Sequence, residues 1–172
     1  MYRERMETLK EWKVSKNRKP LIIRGARQVG KTWLMKEFGK LYYEKCAYIN
    51  FDNNSRMDIL FNEEFDLDRI IQGLKIESGI NIEPENTLII FDEIQETPKA
   101  LKTLKYFYEN ANEYHIVAAG SLLGVAMHQG TSFPVGKVNF MDLMPLSFFE
   151  FLDALGQEHL LNLLKNNEFD MI

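Results

Sequence analysis

The sequence predicts an α/β fold, a three-layer sandwich in which a five-stranded parallel sheet lies between two layers of helices. The first observation is that short, wholly apolar runs occur at 21–23 and 88–91. Runs without polar alternation are typical of strands that are buried on both faces of a parallel sheet. The second observation is that longer segments with helical periodicity separate the apolar runs, as crossover connections between parallel strands require. The five strands are predicted at 21–23, 47–51, 88–91, 115–119 and 138–143.

Capping residues and apolar periodicity place the helices between these strands. After residue 32, Leu34, Phe38, Leu41 and Tyr42 recur at i, i+4, i+7 and i+8, which predicts an amphipathic helix that buries these four side chains. Further helices are expected where capping residues begin an apolar pattern: at Asp66, with an end near Gly79; at Thr97, before Pro98; and at Ser147, with Glu150 as the capping-box partner and an end at Gly156.

A glycine-rich segment follows the first strand. Residues 25–32 read Gly-Ala-Arg-Gln-Val-Gly-Lys-Thr and fit the phosphate-binding loop pattern G-x-x-x-x-G-K-[ST]. Glycine lets the backbone curl so that N–H groups point at phosphate oxygens, with the positive end of the next helix behind them. Lys31 is expected to reach the β- and γ-phosphates, and the Thr32 hydroxyl to bind Mg²⁺. The predicted nucleotide contacts come from the loop and the residue after it: Gly25, Ala26, Arg27, Gln28, Val29, Gly30, Lys31, Thr32 and Trp33.

Polar residues follow two later strands. Asp92 and Glu93 come directly after the run at 88–91, at the carboxyl edge of the sheet where α/β proteins bind ligands. Together with the phosphate loop, Asp92 is expected to hold Mg²⁺ through its water shell, and Glu93 to polarise the water that attacks the γ-phosphate. Ser121 follows the strand at 115–119 and is expected to contact the γ-phosphate or that water. The alternative is that Ser121 caps a helix at 122–126. Lys31, Glu93 and Ser121 are thus the predicted catalytic residues.

With these motifs in order, the chain resembles the prokaryotic AAA-type P-loop ATPases that carry a C-terminal domain of unknown function. The resemblance covers about residues 9–152 and rests on five segments: 24–32, 48–52, 91–95, 119–123 and 144–152. It implies ATP binding and hydrolysis with Mg²⁺ in a P-loop NTPase fold of the additional-strand, catalytic-glutamate class. It implies no particular target.

The sequence departs from the family's pattern in two places. Family members usually carry Gly-Arg where this chain has Gly136-Lys137, and they continue into a helical lid and a further domain, whereas this sequence ends at Ile172. Residues 1–146 are therefore expected to form the ATPase core, and 147–172 the start of a truncated lid or C-terminal region. Leucines at 160, 161, 163 and 164 make the tail apolar. A contact with a second copy or a protein partner is the alternative explanation of that surface.

Composition excludes several classes of protein. The 172 residues, 45% hydrophobic and 27% charged, suffice for one compact core. A single cysteine, Cys46, excludes a disulfide framework within the chain, and the three histidines lack metal-ligand spacing. The N-terminus is too polar for a signal peptide, and the longest mostly apolar stretch, 116–127, is too short for a membrane span. A cytoplasmic protein is therefore expected.

Basic residues are concentrated near the N-terminus. Residues 1–45 hold 13 of the 21 Lys and Arg residues and five of the 25 Asp and Glu residues. The phosphate loop explains part of this excess, and a solvated helix and turn is expected to carry the rest: Lys10, Lys13, Lys16, Arg18 and Lys19. A nucleic-acid contact is the less favoured alternative, because Trp12 is the one aromatic residue interleaved with them.

The predicted function is that of an ATPase that binds Mg·ATP and hydrolyses it slowly as this isolated chain. One alternative is a nucleotide-gated switch module with negligible hydrolysis. Another is a small-molecule kinase, in which a metabolite hydroxyl would accept the phosphoryl group. The adjacent Asp92 and Glu93 favour water over a metabolite as the acceptor.

Overall fold

Five strands form one sheet in this computed structural model, which describes residues 3–120 and 136–165. They are β1 (Leu21–Arg24), β2 (Lys45–Asn50), β3 (Thr87–Asp92), β4 (His115–Gly120) and β5 (Asn139–Asp142). Their order is β2-β3-β4-β1-β5, and every pairing is parallel. The predicted five-stranded parallel sheet is confirmed. All five carboxyl ends therefore meet at one edge.

Helices cover both faces of this sheet. They are α1 (Arg5–Val14), α2 (Lys31–Tyr42), α3 (Ser55–Asn62), α4 (Leu67–Ser78), α5 (Pro98–Asn110), α6 (Phe148–Ala154) and α7 (Glu158–Lys165), with a 3₁₀ turn at Ile94–Glu96. One hydrophobic cluster joins the sheet to α1 and α2, and a second joins it to α3, α4 and α5. Within the described ranges, no helix is both long and apolar enough to cross a membrane.

Alternate residues of β3 belong to different hydrophobic clusters. Leu88 and Ile90 belong to the cluster beneath α1 and α2, whereas Ile89 and Phe91 belong to the cluster beneath the other helices. Every residue of β3 is buried, which is why its sequence shows no polar alternation. Since successive side chains of a strand point to opposite faces, Asp92 lies on the α2 face.

Three of the predicted helix boundaries agree with the observed capping contacts. The Asp66 carboxylate accepts a hydrogen bond from the Arg69 backbone N–H, and Gly79 ends α4 in the left-handed conformation. Ser147 and Glu150 make both hydrogen bonds of a capping box at the start of α6. Residues 122–126, where a further helix is predicted, lie outside the described residues.

Two details of the predicted helices are wrong. Leu41 is 55% exposed rather than buried, and Tyr42 beside it is only partly buried. Pro98 does begin α5, but the Thr97 side chain makes no capping bond; its hydroxyl instead donates to Asp58 Oδ1 at 2.5 Å. The pattern also missed α3, an eight-residue helix capped by the Asn54 side chain.

His115 lies in a buried polar cluster under the start of β4. It is 5% exposed, and its Nδ1 and Nε2 contact the Tyr43 hydroxyl at 2.7 Å and Arg18 Nη1 at 2.5 Å. Burial, followed by the charges of Arg18 and Lys13, lowers the pKa of His115 from 6.5 to about 4.

Stability is therefore expected to depend on the protonation of His115. A depressed folded-state pKa means that the neutral imidazole favours folding above about pH 6.5 and that this contribution is lost as the pH falls toward about 4. Once the pH is low enough for the imidazole to be protonated in the folded state as well, the free energy of unfolding is lower by about 3 kcal/mol. Urea unfolding across this pH range measures it, with His115→Gln as the control. Wild-type stability should fall more steeply with acid than that of the variant, and parallel curves would contradict the prediction.

Candidate functional site

Residues 25–32 form a loop between the end of β1 and the first turn of α2. Gln28 and Gly30 have φ of 63° and 91°, in the left-handed region. Left-handed residues within a turn create concavities in which backbone N–H groups converge on an anion. Gly30 precedes α2 and gives its first turn no side-chain cap, so the N–H groups there are not occupied by a capping side chain. The loop therefore has the backbone form of an anion site.

Close packing explains the first glycine of the loop. The Leu143 backbone N–H donates to Arg24 O at 2.7 Å, which brings the chain leaving β5 across the loop. A Cβ on Gly25 would lie 2.3 Å from Leu143 O, closer than real Cβ contacts come. Gly25 is thus required by the neighbouring backbone, in addition to the flexibility that the motif predicts. Val29, 8% exposed, attaches the middle of the loop to the α2-side cluster.

Lys31 is held inside the loop. Its side chain is buried, with the residue 7% exposed, and Nζ donates to Gly25 O at 3.0 Å and to Ala26 O at 2.7 Å. Burial lowers the pKa of Lys31, and the carboxylates of Glu93 and Asp92 oppose that shift. An ammonium group has three N–H donors, so one remains for a ligand oxygen.

Asp92 joins the loop to the end of β3. Its Oδ2 accepts hydrogen bonds from Thr32 Oγ1 at 2.7 Å and from the Tyr48 hydroxyl at 3.0 Å, and its Oδ1 accepts from the Glu93 N–H at 3.1 Å. The residue is 4% exposed. Burial and then the neighbouring carboxylate of Asp92 raise the pKa of the Tyr48 phenol, with a smaller contribution from Glu93. Tyr48 was not among the predicted site residues.

Glu93 stands at the bend that follows β3. Its φ of 53° is unusual for a residue other than glycine, and it turns the chain into the 3₁₀ turn. The Glu93 carboxylate accepts a hydrogen bond from Gln95 Nε2 at 2.6 Å, and the same amide nitrogen lies 3.2 Å from Glu96 Oε1. The two carboxylates thereby orient the amide of Gln95, a second residue that the sequence interpretation missed.

These groups surround one cleft of about 570 Å³. The predicted residues that line it are Arg27, Gln28, Gly30, Lys31, Thr32, Trp33 and Glu93, and the others that do so are Asp52, Gln95 and Glu96. Gly25, Ala26, Val29 and Asp92 contribute through the contacts described above rather than through the cleft wall. Ser121 lies outside the described residues. The structure therefore brings the phosphate loop together with the acidic end of β3.

The oxygens of Thr32 and Asp92 fit a hard divalent cation. Mg²⁺ prefers hydroxyl, carboxylate and water oxygens. Thr32 uses its hydroxyl hydrogen on Asp92, so the oxygen lone pairs remain for a cation. Two side chains that approach each other to 2.7 Å from different elements thus present a donor set of the right chemistry.

Most of the basic residues near the N-terminus have partners within the chain. Lys10 pairs with Glu7, Lys13 donates to Tyr42 O, Arg18 contacts His115 and Asn112 O, and Lys19 donates to Gly136 O. These contacts favour the interpretation of this segment as a structural helix and turn.

Lys137, at the position where the family usually has arginine, lies far from the loop of its own chain. It pairs with Glu109 at 3.0 Å and lies over the Tyr108 ring. It precedes β5, whose first residue, Asn139, is in register with Leu21, the first residue of β1. Lys137 is therefore at the amino edge of the sheet, opposite the cleft.

The parallel sheet, the glycine loop and the acidic end of β3 define a P-loop NTPase. The sequence profile of the AAA domain matches residues 17–152, and the chain belongs to this family of AAA-type P-loop ATPases. It is thus an AAA-type nucleotide-binding module. No curated protein matches the sequence significantly.

Solved structures show the same fold. Drosophila ORC bound to DNA is matched at 17% identity with a TM-score of 0.58, over 88% of this chain and 45% of that one. The Aeropyrum pernix ORC2 protein in its ADP form is matched at 17% identity with a TM-score of 0.56, over 91% of this chain and 52% of that one. The Aeropyrum pernix ORC1 protein in complex with DNA is matched at 14% identity with a TM-score of 0.52, over 92% of this chain and 50% of that one. This chain spans about half the length of the chains it matches.

Proposed function

We propose that the chain binds Mg·ATP in this cleft and hydrolyses it slowly. The observation that carries the proposal is the hydrogen bond of 2.7 Å between Thr32 and Asp92, which lie 60 positions apart in the sequence. It joins the phosphate loop to the acidic strand end beside Lys31. Membership of the AAA domain family supports the same function.

The loop residues would hold the phosphates. In this proposal, the N–H groups of the loop and the first turn of α2 receive the phosphate oxygens, and the remaining N–H donor of Lys31 reaches the β- and γ-phosphates. Thr32 and Asp92 would hold Mg²⁺, which when bound neutralises the charge that develops on the transferred phosphoryl group.

Glu93 would activate the attacking water. Its carboxylate lines the cleft, and the bond from Gln95 fixes the orientation of one of its oxygens. A carboxylate held in this way can accept a hydrogen bond from water and aim its lone pair at phosphorus. Ser121 stays a predicted contact of the γ-phosphate.

Replacing Glu93 by Gln should separate binding from hydrolysis. ATP affinity should stay within about threefold of wild type, whereas turnover should fall by about 10² to 10⁴, because an amide polarises water poorly. Calorimetry and phosphate release on the same preparation measure both. Glu96→Gln is the matched control, since Glu96 also lines the cleft and contacts Gln95. Loss of ATP binding in the Glu93 variant would show that Glu93 holds the metal or the fold instead.

A switch module with negligible hydrolysis is the second candidate. It is favoured by the short bond between Gln95 and Glu93, which engages one oxygen, Oε2, of the carboxylate that hydrolysis needs. Measuring ATP affinity and turnover together distinguishes the two, since a switch would bind ATP but release no phosphate. A phosphorylated metabolite among the products would indicate the kinase alternative.

Other features stay predictions. Glu150 accepts from the backbone N–H of Glu4 and pairs with Arg3, so the first turn of α6 is attached to the N-terminal segment and would extend the proposed 1–146 core. A homo-oligomer or protein partner at the C-terminal helices, and a cytoplasmic location, are proposals as well. Two matched structures are complexes with DNA. For this chain DNA binding is the weaker proposal, because the basic N-terminal side chains are engaged internally.

A further inference from the structure

Tyr48 stands beside the acidic end of β3 although it comes from the neighbouring strand. Tyr48 in β2 is in register with Ile90 in β3, and Asn50 is in register with Asp92. Partnered residues of parallel strands share a face, so Tyr48 and Asp92 both lie on the α2 side of the sheet. The two side chains are diagonal neighbours, and the length of the tyrosine carries its hydroxyl to 3.0 Å from Asp92 Oδ2.

The partly buried Tyr48 ring is in contact with protein groups on the α2 side of the sheet. It packs against the hydrophobic cluster formed with α1 and α2, and Lys36 Nζ lies 3.6 Å from the ring centroid. The hydroxyl is therefore presented to Asp92 by a ring that packing and the Lys36 contact help to hold in place. This arrangement differs from an exposed tyrosine whose hydroxyl finds a carboxylate by chance.

The hydrogen bonds on Asp92 determine how its carboxylate can act. A carboxylate oxygen has two lone pairs, and those of Oδ2 are both used, by Thr32 Oγ1 and by the Tyr48 hydroxyl. Oδ2 is thus closed to direct coordination while both hydroxyls donate. Asp92 then acts on a cation through the Thr32 hydroxyl, whose lone pairs stay free, and through Oδ1.

We propose that Tyr48 is a positioning residue for Mg²⁺, which it serves by fixing the Asp92 carboxylate and, through it, the Thr32 hydroxyl. This inference rests on the proposed function. Groups that orient the ligands of a metal commonly change metal affinity or activity by 10- to 100-fold when they are replaced. Tyr48 itself contacts neither the nucleotide loop nor the proposed position of the attacking water through any described hydrogen bond.

The test uses Tyr48→Phe, which removes one oxygen and keeps the packed ring. ATP affinity is measured by calorimetry with saturating Mg²⁺ and again with EDTA, and the ratio of the two dissociation constants is the readout. In the variant the Mg²⁺-dependent gain should fall about tenfold, while the dissociation constant in EDTA stays within about twofold. A role limited to stability would change thermal unfolding and leave this ratio unaltered.

Two further variants complete the design. Tyr43→Phe is the matched control, because that hydroxyl bonds to His115 rather than to Asp92, and it should leave the ratio at the wild-type value. In an Asp92→Asn background, adding Tyr48→Phe should change the ratio by less than about twofold, since both act through one carboxylate.

The outcomes separate the two proposals. A wild-type ratio in Tyr48→Phe, or additive effects in the double variant, overturns the role of Tyr48 while Mg·ATP binding by the wild type stands. A wild-type chain that binds no ATP, or binds it equally with and without Mg²⁺, overturns the proposed function and the role of Tyr48 together.

Discussion

Lys31→Ala is expected to weaken ATP binding by about 30- to 1000-fold, which corresponds to about 2–4 kcal/mol. Two effects combine. The phosphates lose a cation in a site where Lys31 as a residue is 7% exposed, and charges interact more strongly where water is excluded. The loop also loses the two bonds from Nζ to Gly25 O and Ala26 O, which hold its curvature.

Fluorescence titration can follow this binding directly. The chain has two tryptophans; Trp33 lines the cleft, whereas Trp12 is buried in the core on the α1 side. Lys40→Ala is the matched control, because it removes the same charge from an exposed position on the same helix. An unchanged affinity in Lys31→Ala, or an equal loss in Lys40→Ala, would reject the phosphate-binding assignment of the loop.

The fold was predictable where local sequence and burial agree. β3 is apolar at Leu88, Ile89, Ile90 and Phe91 because both faces of the sheet are covered. This uninterrupted apolar run identifies it as a buried strand from the local sequence alone. α4 can be predicted because its two capping residues, Asp66 and Gly79, mark its ends. α3 was missed because eight residues hold too few turns to establish a periodicity.

The residues of the candidate site follow from motifs in the sequence, whereas their contacts follow from it only in part. Lys31, Thr32, Asp92 and Glu93 could be chosen from two motifs, since the chemistry of phosphate and metal binding restricts those residue types. Tyr48 could not, because its role depends on which strand lies next to β3. Strand order is a tertiary property. The sequence of β2 alone indicates only that alternate side chains, Tyr48 among them, share one face of the sheet.

The requirement for Gly25 was anticipated for an incomplete reason. The motif attributes it to curvature. The structure adds the close approach of Leu143 O, which follows β5, and the contact between Arg24 and Asp142 shows that this strand is 118 positions away in the sequence. Contacts between residues so far apart in the sequence cannot be predicted from a local sequence motif. The position of Lys137 at the far edge of the sheet is a result of the same kind.

Turnover of ATP by the isolated chain is expected to be slow, at about 10⁻⁴ to 10⁻² per second, as in P-loop proteins that lack an external arginine finger. The sequence has seven arginines and none after Arg69. Most are engaged elsewhere: Arg3 with Glu150, Arg18 with His115, Arg24 with Asp142, Arg56 with Glu77 and Arg69 with Glu63. Within the described ranges, Arg27 is the one arginine that lines the cleft.

An arginine at the transferring phosphate contributes about 10³ to 10⁵ in rate, because its planar, permanent charge meets the negative charge that spreads in the transition state. Lys137 cannot supply this charge to its own site, since it is held by Glu109 at the opposite edge of the sheet. The rate should therefore rise only when a partner or a further segment adds an arginine. Phosphate release measured on the monomeric chain, with Arg27→Ala beside it, decides the matter. A wild-type rate above about one per second that collapses in the Arg27 variant would show that the chain carries its own finger in the phosphate loop.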